Sequence, residues 1–397
     1  MLSKIMNIPS MLGNRLLSGF VERQRWWPKA GRRPEARHNP TGGGILILYE
    51  RLPKRPLFPL LLWSLIAVFF GCSRHDSHYA DLGETGFKPL HDSLTLQSAC
   101  IRLSSDFMAR YGYKDSGYAV RFYRDLNRFS DSLIRVLGSS ARTTAGAAAI
   151  LDVVYNNWSI GFDSRDTAIE TLLPHMVYRS KKGACLGVSL IMLMLAEKFH
   201  CPLFGVVLPG HFFCRFDNGT TRYNIEPNKK GMRHPDRYYR EKYLSSGTPG
   251  YDARNLTTAS TVGVLYYNLG AQCLSRRDPI AAISCFQESV RRCPGFAEAH
   301  GNLALAWAQR GVTDSALAVF EVLFVAYPNL ARLAENYGEV AMEAKQYRRA
   351  LGVYQKGLEY FPSDTALLSG LGRVCKSLGI KDSTITKVGV KSLSGCR

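Results

Sequence analysis

Two domains of different class are predicted: an α+β domain of helices with a small antiparallel sheet, followed by an all-α solenoid of helical repeats. Three observations carry this. Apolar residues recur at helical spacing from about residue 92. Near residue 203 they give way to three short runs rich in Val, Phe and Tyr, bounded by Pro209-Gly210 and Asp217-Asn218-Gly219 turns. Beyond residue 263 the pattern is purely helical and repeats every 34 residues. The 397 residues suffice for two or three domains, and 46% hydrophobic against 21% charged residues excludes global disorder. No uninterrupted apolar run of roughly 20 residues is present, which excludes a polytopic membrane protein.

The first 71 residues read as an upstream extension and an export signal. They hold eleven Lys/Arg against three Glu and no cysteine, so much of the chain's net charge of +19 lies outside the expected mature fold. Residues 57–71 (LFPLLLWSLIAVFFG) follow Arg51, Lys54 and Arg55 and precede Cys72. A basic flank, a short apolar core and a small residue before the cut describe a signal peptide, and the run is short for ~30 Å of hydrocarbon. Gly71-Cys72 resembles a bacterial lipoprotein signal, which implies lipidation of Cys72 as the mature N-terminus. The expected location is exported and membrane-anchored, at the outer membrane or periplasmic face of a two-membrane bacterium. Residues 1–50, rich in Arg, Pro and Gly, are expected to lie upstream of true initiation near residues 48–52. Nucleic acid is not an expected partner, because the mature sequence shows no clustered basic patch.

A polar tether is expected over 72–90, then helices at 92–112, 118–137 and 143–158. After Gly183 the apolar stretch CLGVSLIMLMLAEKF reads as a buried helix, and strands follow at 203–208, 211–216 and 221–226. These elements make one domain over 91–243, and the Ser/Thr/Gly-rich 244–262 reads as a linker.

The solenoid spans 263–380, with a tail at 381–397. Phe286, Phe320 and Tyr354 share one register, as do Ala282, Ala316 and Ala350, and Pro294, Pro328 and Pro362. Small residues let paired helices approach, the aromatic fills the contact, and Pro stops the second helix. This helix–turn–helix unit resembles the tetratricopeptide repeat. Asn268, Asn302 and Asn336 recur on the first helix of each unit, on the face that lines such a solenoid's concave surface. An amide there can bond both N–H and C=O of an extended peptide, so a protein or peptide partner is expected.

One constellation could carry chemistry. Cys185 opens the buried helix, where the positive end of the macrodipole favours thiolate, with Lys181 and Lys182 just upstream. His211 begins the second strand and could act as general base. Asn224 and Glu226 share a face of the third strand, and either could orient the imidazole. The blocks Gly183-Ala184-Cys185-Leu186-Gly187, Leu208-Pro209-Gly210-His211-Phe212 and Asn224-Ile225-Glu226-Pro227 with Gly231 resemble the transglutaminase-like branch of the papain-type fold, in bacterial proteins that join such a domain to tetratricopeptide repeats. That resemblance implies Cys185 as nucleophile, His211 as base and Glu226 as third member. The family often has Asp at the third place, so Asn224 stays an alternative. The backbone N–H of Cys185 is one oxyanion donor; six residues earlier stands Arg179 rather than Gln.

The implied reaction is attack on an amide carbonyl through a thioester, as amidase, peptidase or acyltransferase. The rival reading is a non-catalytic interaction or cell-envelope assembly module. No cofactor is expected. His200, Cys201, His211 and Cys214 lack metal-site spacing, and 211 and 214 point to opposite faces of one strand. Eight further cysteines in an exported chain allow one or more disulfides, with Cys273 and Cys375 read as core residues.

Overall fold

The computed structural model describes residues 86–115, 117–163, 168–244 and 253–380. The expected signal segment and Cys72 lie outside the described residues. Three helices open the first domain. Helix α1 (Leu96–Arg110) is N-capped by Thr95. It is followed by α2 (Tyr118–Leu137) and by α3 (Thr144–Leu151), which continues as a π-helical turn over Asp152–Asn157. Next come β1 (Gly161–Phe162), α4 (Ile169–Leu172), α5 (Pro174–Ser180), β2 (Lys182–Gly183) and α6 (Cys185–Phe199). Strands β1 and β2 pair in parallel and fix the chain just before Cys185.

Helix α6 is buried over almost its whole length, as a helix apolar all round must be. Gly187 is required in its first turn. A Cβ there would fall 2.2 Å from the Thr171 carbonyl oxygen, so the chain before α6 could not approach as it does.

The sheet contains β3 (Leu203–Leu208), β4 (His211–Asp217), β5 (Arg222–Glu226) and β6 (Met232–His234), antiparallel in sequence order. Leu203, Phe212, Cys214, Phe216 and Ile225 belong to the main core with α6, while Val206, Leu208 and Phe213 form a smaller outer cluster with Tyr239. Helix α7 (Asp236–Tyr243) covers that outer face. Helix α6 runs antiparallel to β4. Its C-terminus leads through Pro202 into Leu203, which pairs with Phe216 at the far end of β4, and Cys214 lies against the Ser189 carbonyl. The Cys185 end of α6 therefore points toward the His211 end of the sheet. There α6 also touches the 3₁₀ turn Pro227–Lys229 that follows Glu226.

The solenoid contains α8 (Thr258–Ser275), α9 (Pro279–Arg292), α10 (Ala297–Gln309), α11 (Thr313–Ala326), α12 (Ala331–Glu343), α13 (Tyr347–Tyr360) and α14 (Thr365–Ser377). Ala282, Ala316 and Ala350 are fully buried, as are Phe286, Phe320 and Tyr354. The small residue and the aromatic meet directly: a Cβ on Gly338 would sit 2.5 Å from the Tyr354 ring.

Three boundaries differ from the sequence reading. Residues 253–257, expected in a linker, are held to the sheet, where the Leu256 N–H donates to the Gly205 carbonyl at 2.8 Å. The solenoid begins at Thr258 rather than 263. Residues 86–90, expected as tether, dock on the first repeat. Phe87 is buried, its N–H donates to Ser284 Oγ at 2.8 Å, and Arg292 donates to the Leu90 carbonyl. Polar composition suggested a tether, but these backbone groups find partners on α9. Helix α1 adds Arg110 and Tyr111, both bonded to Asp278 at 2.6 and 2.9 Å. The disulfides that the sequence allows do not form among the described residues, where Cys100, Cys185, Cys201, Cys214, Cys273, Cys285, Cys293 and Cys375 stand in no S–S bridge. Cys273 and Cys375 are buried.

Candidate active site

The N-cap of α6 is Ala184, whose N–H donates to the Thr171 carbonyl at 2.9 Å, and Cys185 is the first helical residue, half-buried. Its backbone N–H is one of those a helix leaves without an intrahelical acceptor. Arg179 does not take the place of an amide donor. Its guanidinium lies over the Tyr118 ring, 4.7 Å from the centroid. Lys181 likewise stacks on Tyr178, with Nζ 3.9 Å from the centroid.

His211 and Glu226 meet at one end of the sheet. Register explains why: Arg215 pairs with Asn224 and Cys214 with Ile225, so continued antiparallel pairing brings the last residue of β5 alongside the start of β4. His211 Nε2 and Glu226 Oε2 are 2.9 Å apart, with side-chain exposures of 0% and 1%. Glu226 Oε1 accepts from the Asn228 N–H at 3.1 Å. Burial opposes charge on Glu226, but the hydrogen bond and charge of His211, the Asn228 N–H and Lys242 outweigh it and hold its pKa below the usual range. Glu226 is therefore ionised at neutral pH.

Asn224, the alternative third member, is committed elsewhere. Its Oδ1 accepts from Arg215 Nε at 2.7 Å, and its Nδ2 donates to Asp236 Oδ1 at 2.7 Å and to the His234 carbonyl at 3.1 Å. Arg215 is 1% exposed and also binds Asp236 at 3.0 Å, Asn255 at 3.3 Å and the Ala253 carbonyl. Sequence reasoning missed this network. An Arg inside an apolar strand, flanked by Phe213, Cys214 and Phe216, was the available signal, because such a charge is buried only with partners.

The aromatic cover on His211 was also missed. The Tyr243 ring lies parallel to the imidazole, 4.3 Å between centroids and 5° between planes. Tyr239 stacks on Phe213 at 3.9 Å. The sequence signal was the helical Tyr-Tyr and Tyr243 spacing after Pro235, which puts Tyr239 and Tyr243 one turn apart.

In the solenoid the three asparagines are not equivalent. Asn302 is 3% exposed, contrary to its expected place on an open face. Asn268 donates back to its own helix at the Val264 carbonyl, 2.9 Å, and Asn336 is half-buried. Close packing of α10 against its neighbours covers the middle amide.

The profile of the Transglutaminase-like superfamily matches residues 121–266, and that of the tetratricopeptide repeat matches 274–331. The Hsp70-Hsp90 organizing protein of Triticum aestivum is 29% identical over 97 residues, 24% of this chain and 17% of that protein. The small glutamine-rich tetratricopeptide repeat-containing protein 2 of Mycosarcoma maydis is 27% identical over 115 residues, 29% of this chain and 33% of that protein. The chain thus spans a third or less of the length of these relatives. Profile matches, helix-plus-sheet topology and the 34-residue register agree: the chain carries a domain of the transglutaminase-like superfamily followed by tetratricopeptide repeats.

Proposed function

We propose that this chain is an exported, lipid-anchored cysteine amidohydrolase or acyltransferase whose solenoid holds a peptide or protein partner. The observation that carries the chemistry is the buried 2.9 Å contact between His211 Nε2 and Glu226 Oε2, at the sheet end toward which Cys185 points. With the Nε2 proton donated to Glu226, Nδ1 is the basic nitrogen. It takes the Cys185 thiol proton, and the thiolate adds to an amide carbonyl carbon. The C–N bond then breaks, the leaving amine takes the proton from His211, and a thioester remains on Cys185. Water or an amine attacks that thioester, His211 again moving the proton.

A thiol-directed electrophile at near-neutral pH tests this reading. Cys185 should be labelled well before Cys201 and Cys214, whose thiols burial pushes up to about 12. Equal labelling rates overturn the catalytic reading. The complete burial of the His211 side chain under Tyr243 favours the second reading, a module that only binds, because a substrate must reach the imidazole.

Two relatives are named as Hsp70-Hsp90 organizers and a third as a repeat-containing protein, which supports a protein-binding role for the repeats here. The anchor rests on Cys72, and Cys72→Ser should release the protein from membranes. Unchanged fractionation rules the anchor out.

A further inference from the structure

We propose that the α7 side of the sheet is a subsite for a carboxylate-bearing peptide, formed by Lys229 and Lys242 beside Tyr238 and continuing to His211. This deepens the reading of His211 as part of a reacting centre and rests on it.

Ring stacking and ammonium–ring contacts connect His211 to it. Tyr243 lies on His211 at 4.3 Å, and Lys242 Nζ is 4.9 Å from the Tyr243 ring centroid. The same ammonium donates to Tyr238 Oη at 3.2 Å and lies 5.4 Å from that ring's centroid. Lys229 Nζ is also 5.4 Å from the Tyr238 centroid, and the His234 ring stacks on Tyr238 at 3.9 Å. Beyond His234 opens a groove of about 480 Å³ lined by Arg222, Arg233, His234 and Asp236.

Charge bookkeeping selects the occupant. Residues 222–242 contain seven Lys/Arg and three acids. Glu226 binds His211, Asp236 binds Arg215 and Arg222, and Glu241 binds Arg237. Among the described residues, no carboxylate pairs with Lys229, Lys230, Arg233 or Lys242. Two ammonium groups sharing one ring repel each other, and that repulsion is relieved when an anion lies between them. The electrostatic reach of the shelf extends into the site, since Lys242 helps lower the pKa of Glu226. The groove is concave and edged by strand β6, a shape that seats an extended chain better than a lipid surface.

The test separates binding from catalysis by using the full chain carrying Cys185→Ser. A fluorescent hexapeptide with Glu at alternate positions is compared by anisotropy with its Gln counterpart. The acidic peptide should bind about tenfold more tightly at low salt and lose most of that advantage at 0.5 M salt, as expected on the order of a Debye length of a few Å. Lys229→Ala with Lys242→Ala should remove about tenfold of the acidic peptide's affinity and leave the Gln peptide unaffected. Both side chains are exposed, so an unchanged melting temperature shows that the variant is folded. Equal affinity for the two peptides, or an undiminished preference in the double variant, overturns the proposal. So does a lysine-dependent preference for vesicles rich in anionic lipid over the acidic peptide. Failure of thiol labelling at Cys185 would defeat the catalytic reading while leaving this binding result intact.

Discussion

Two polar contacts made by buried side chains, His211 and Arg215, share the outer face of the sheet, with Phe213 between them, and their chemistry differs. Arg215 binds Asp236, Asn224, Asn255 and the Ala253 carbonyl, so its fixed charge is enclosed by acceptors from β5, from α7 and from the segment leading to the solenoid. His211 presents one ring nitrogen to Glu226 and lies flat under Tyr243. A guanidinium stays charged and can only hold elements together, whereas an imidazole can take and return a proton near neutral pH. The contrast teaches that burial and pairing alone do not mark a reactive site. What the proposed site adds is a group able to change protonation, at the sheet end that the thiol-bearing end of α6 faces.

The sharpest way to break this comparison is at the proposed nucleophile, Cys185. Cys185→Ser should lower any amide turnover by about a thousandfold or more, because the hydroxyl is a far weaker nucleophile in a site arranged for a thiol. Melting temperature should change little, since Cys185 is only half-buried. Turnover within tenfold of wild type would place the chemistry elsewhere.

Arg215→Met should do the opposite. Removing one partner of a buried ion pair typically costs about 3–5 kcal/mol, and here it also strands Asn224 and the Ala253 carbonyl. Asp236 is 37% exposed, and water compensates part of that loss, so about 3 kcal/mol is expected by urea denaturation. Labelling of Cys185 in the folded fraction should persist. A variant that is stable but unlabelled would mean that Arg215 serves the chemistry.

Glu226→Gln sharpens the comparison from the acid side. The amide oxygen can still accept the Nε2 proton, but it cannot stabilise imidazolium, so turnover should fall by roughly 10–100-fold. Glu226 and Asp236 both have folded pKa values below their ordinary 4.5 and 3.8. A depressed carboxylate contributes stability above its unfolded pKa and loses it as pH falls through the folded value. The Glu226 contact should therefore weaken below about pH 4.5 and the Asp236 contact below about pH 3.8, and Glu226→Gln should flatten the acid limb of a melting-temperature profile. An unchanged limb would show that Glu226 carries none of it.

Much of the fold was legible because its signals are local. Helix α6 is apolar all round, strands β3 to β5 lie between turn residues, and the repeats announce themselves by register. The place of His211 was legible from Pro209-Gly210, which starts β4 at that residue. The family resemblance implied Glu226 at the third place, but the residues alone left Asn224 open, because both lie on one strand face; in the structure Glu226 meets His211 and Asn224 is taken up by Arg215. Strand β6 and helix α7 were missed for a similar reason. Their residues, MRH and DRYYREKY, are polar and short, and tertiary contacts with the sheet hold them rather than a local pattern. Docking of residues 86–90 on the solenoid depends on partners about 200 positions away, such as Arg292.

The smallest expected effects lie in the solenoid, where the repeat makes three asparagines look alike and packing makes them differ. Asn302 is buried, so Asn302→Ala should cost about 1–2 kcal/mol in stability, the penalty of emptying a packed site around a buried amide. Asn268 already spends its N–H on the Val264 carbonyl, a local contact that water can replace, and Asn336 is half-buried. Asn268→Ala and Asn336→Ala should each change stability by less than ~0.5 kcal/mol. If the repeats hold an extended peptide, Asn336→Ala should weaken that peptide about threefold to tenfold, the worth of one hydrogen bond of ~0.5–1.5 kcal/mol. Asn302→Ala should weaken it only as far as it unfolds the groove. Thermal melts beside peptide titrations decide the matter. Equal stability losses at all three positions would mean that the register, and not the burial, sets their role.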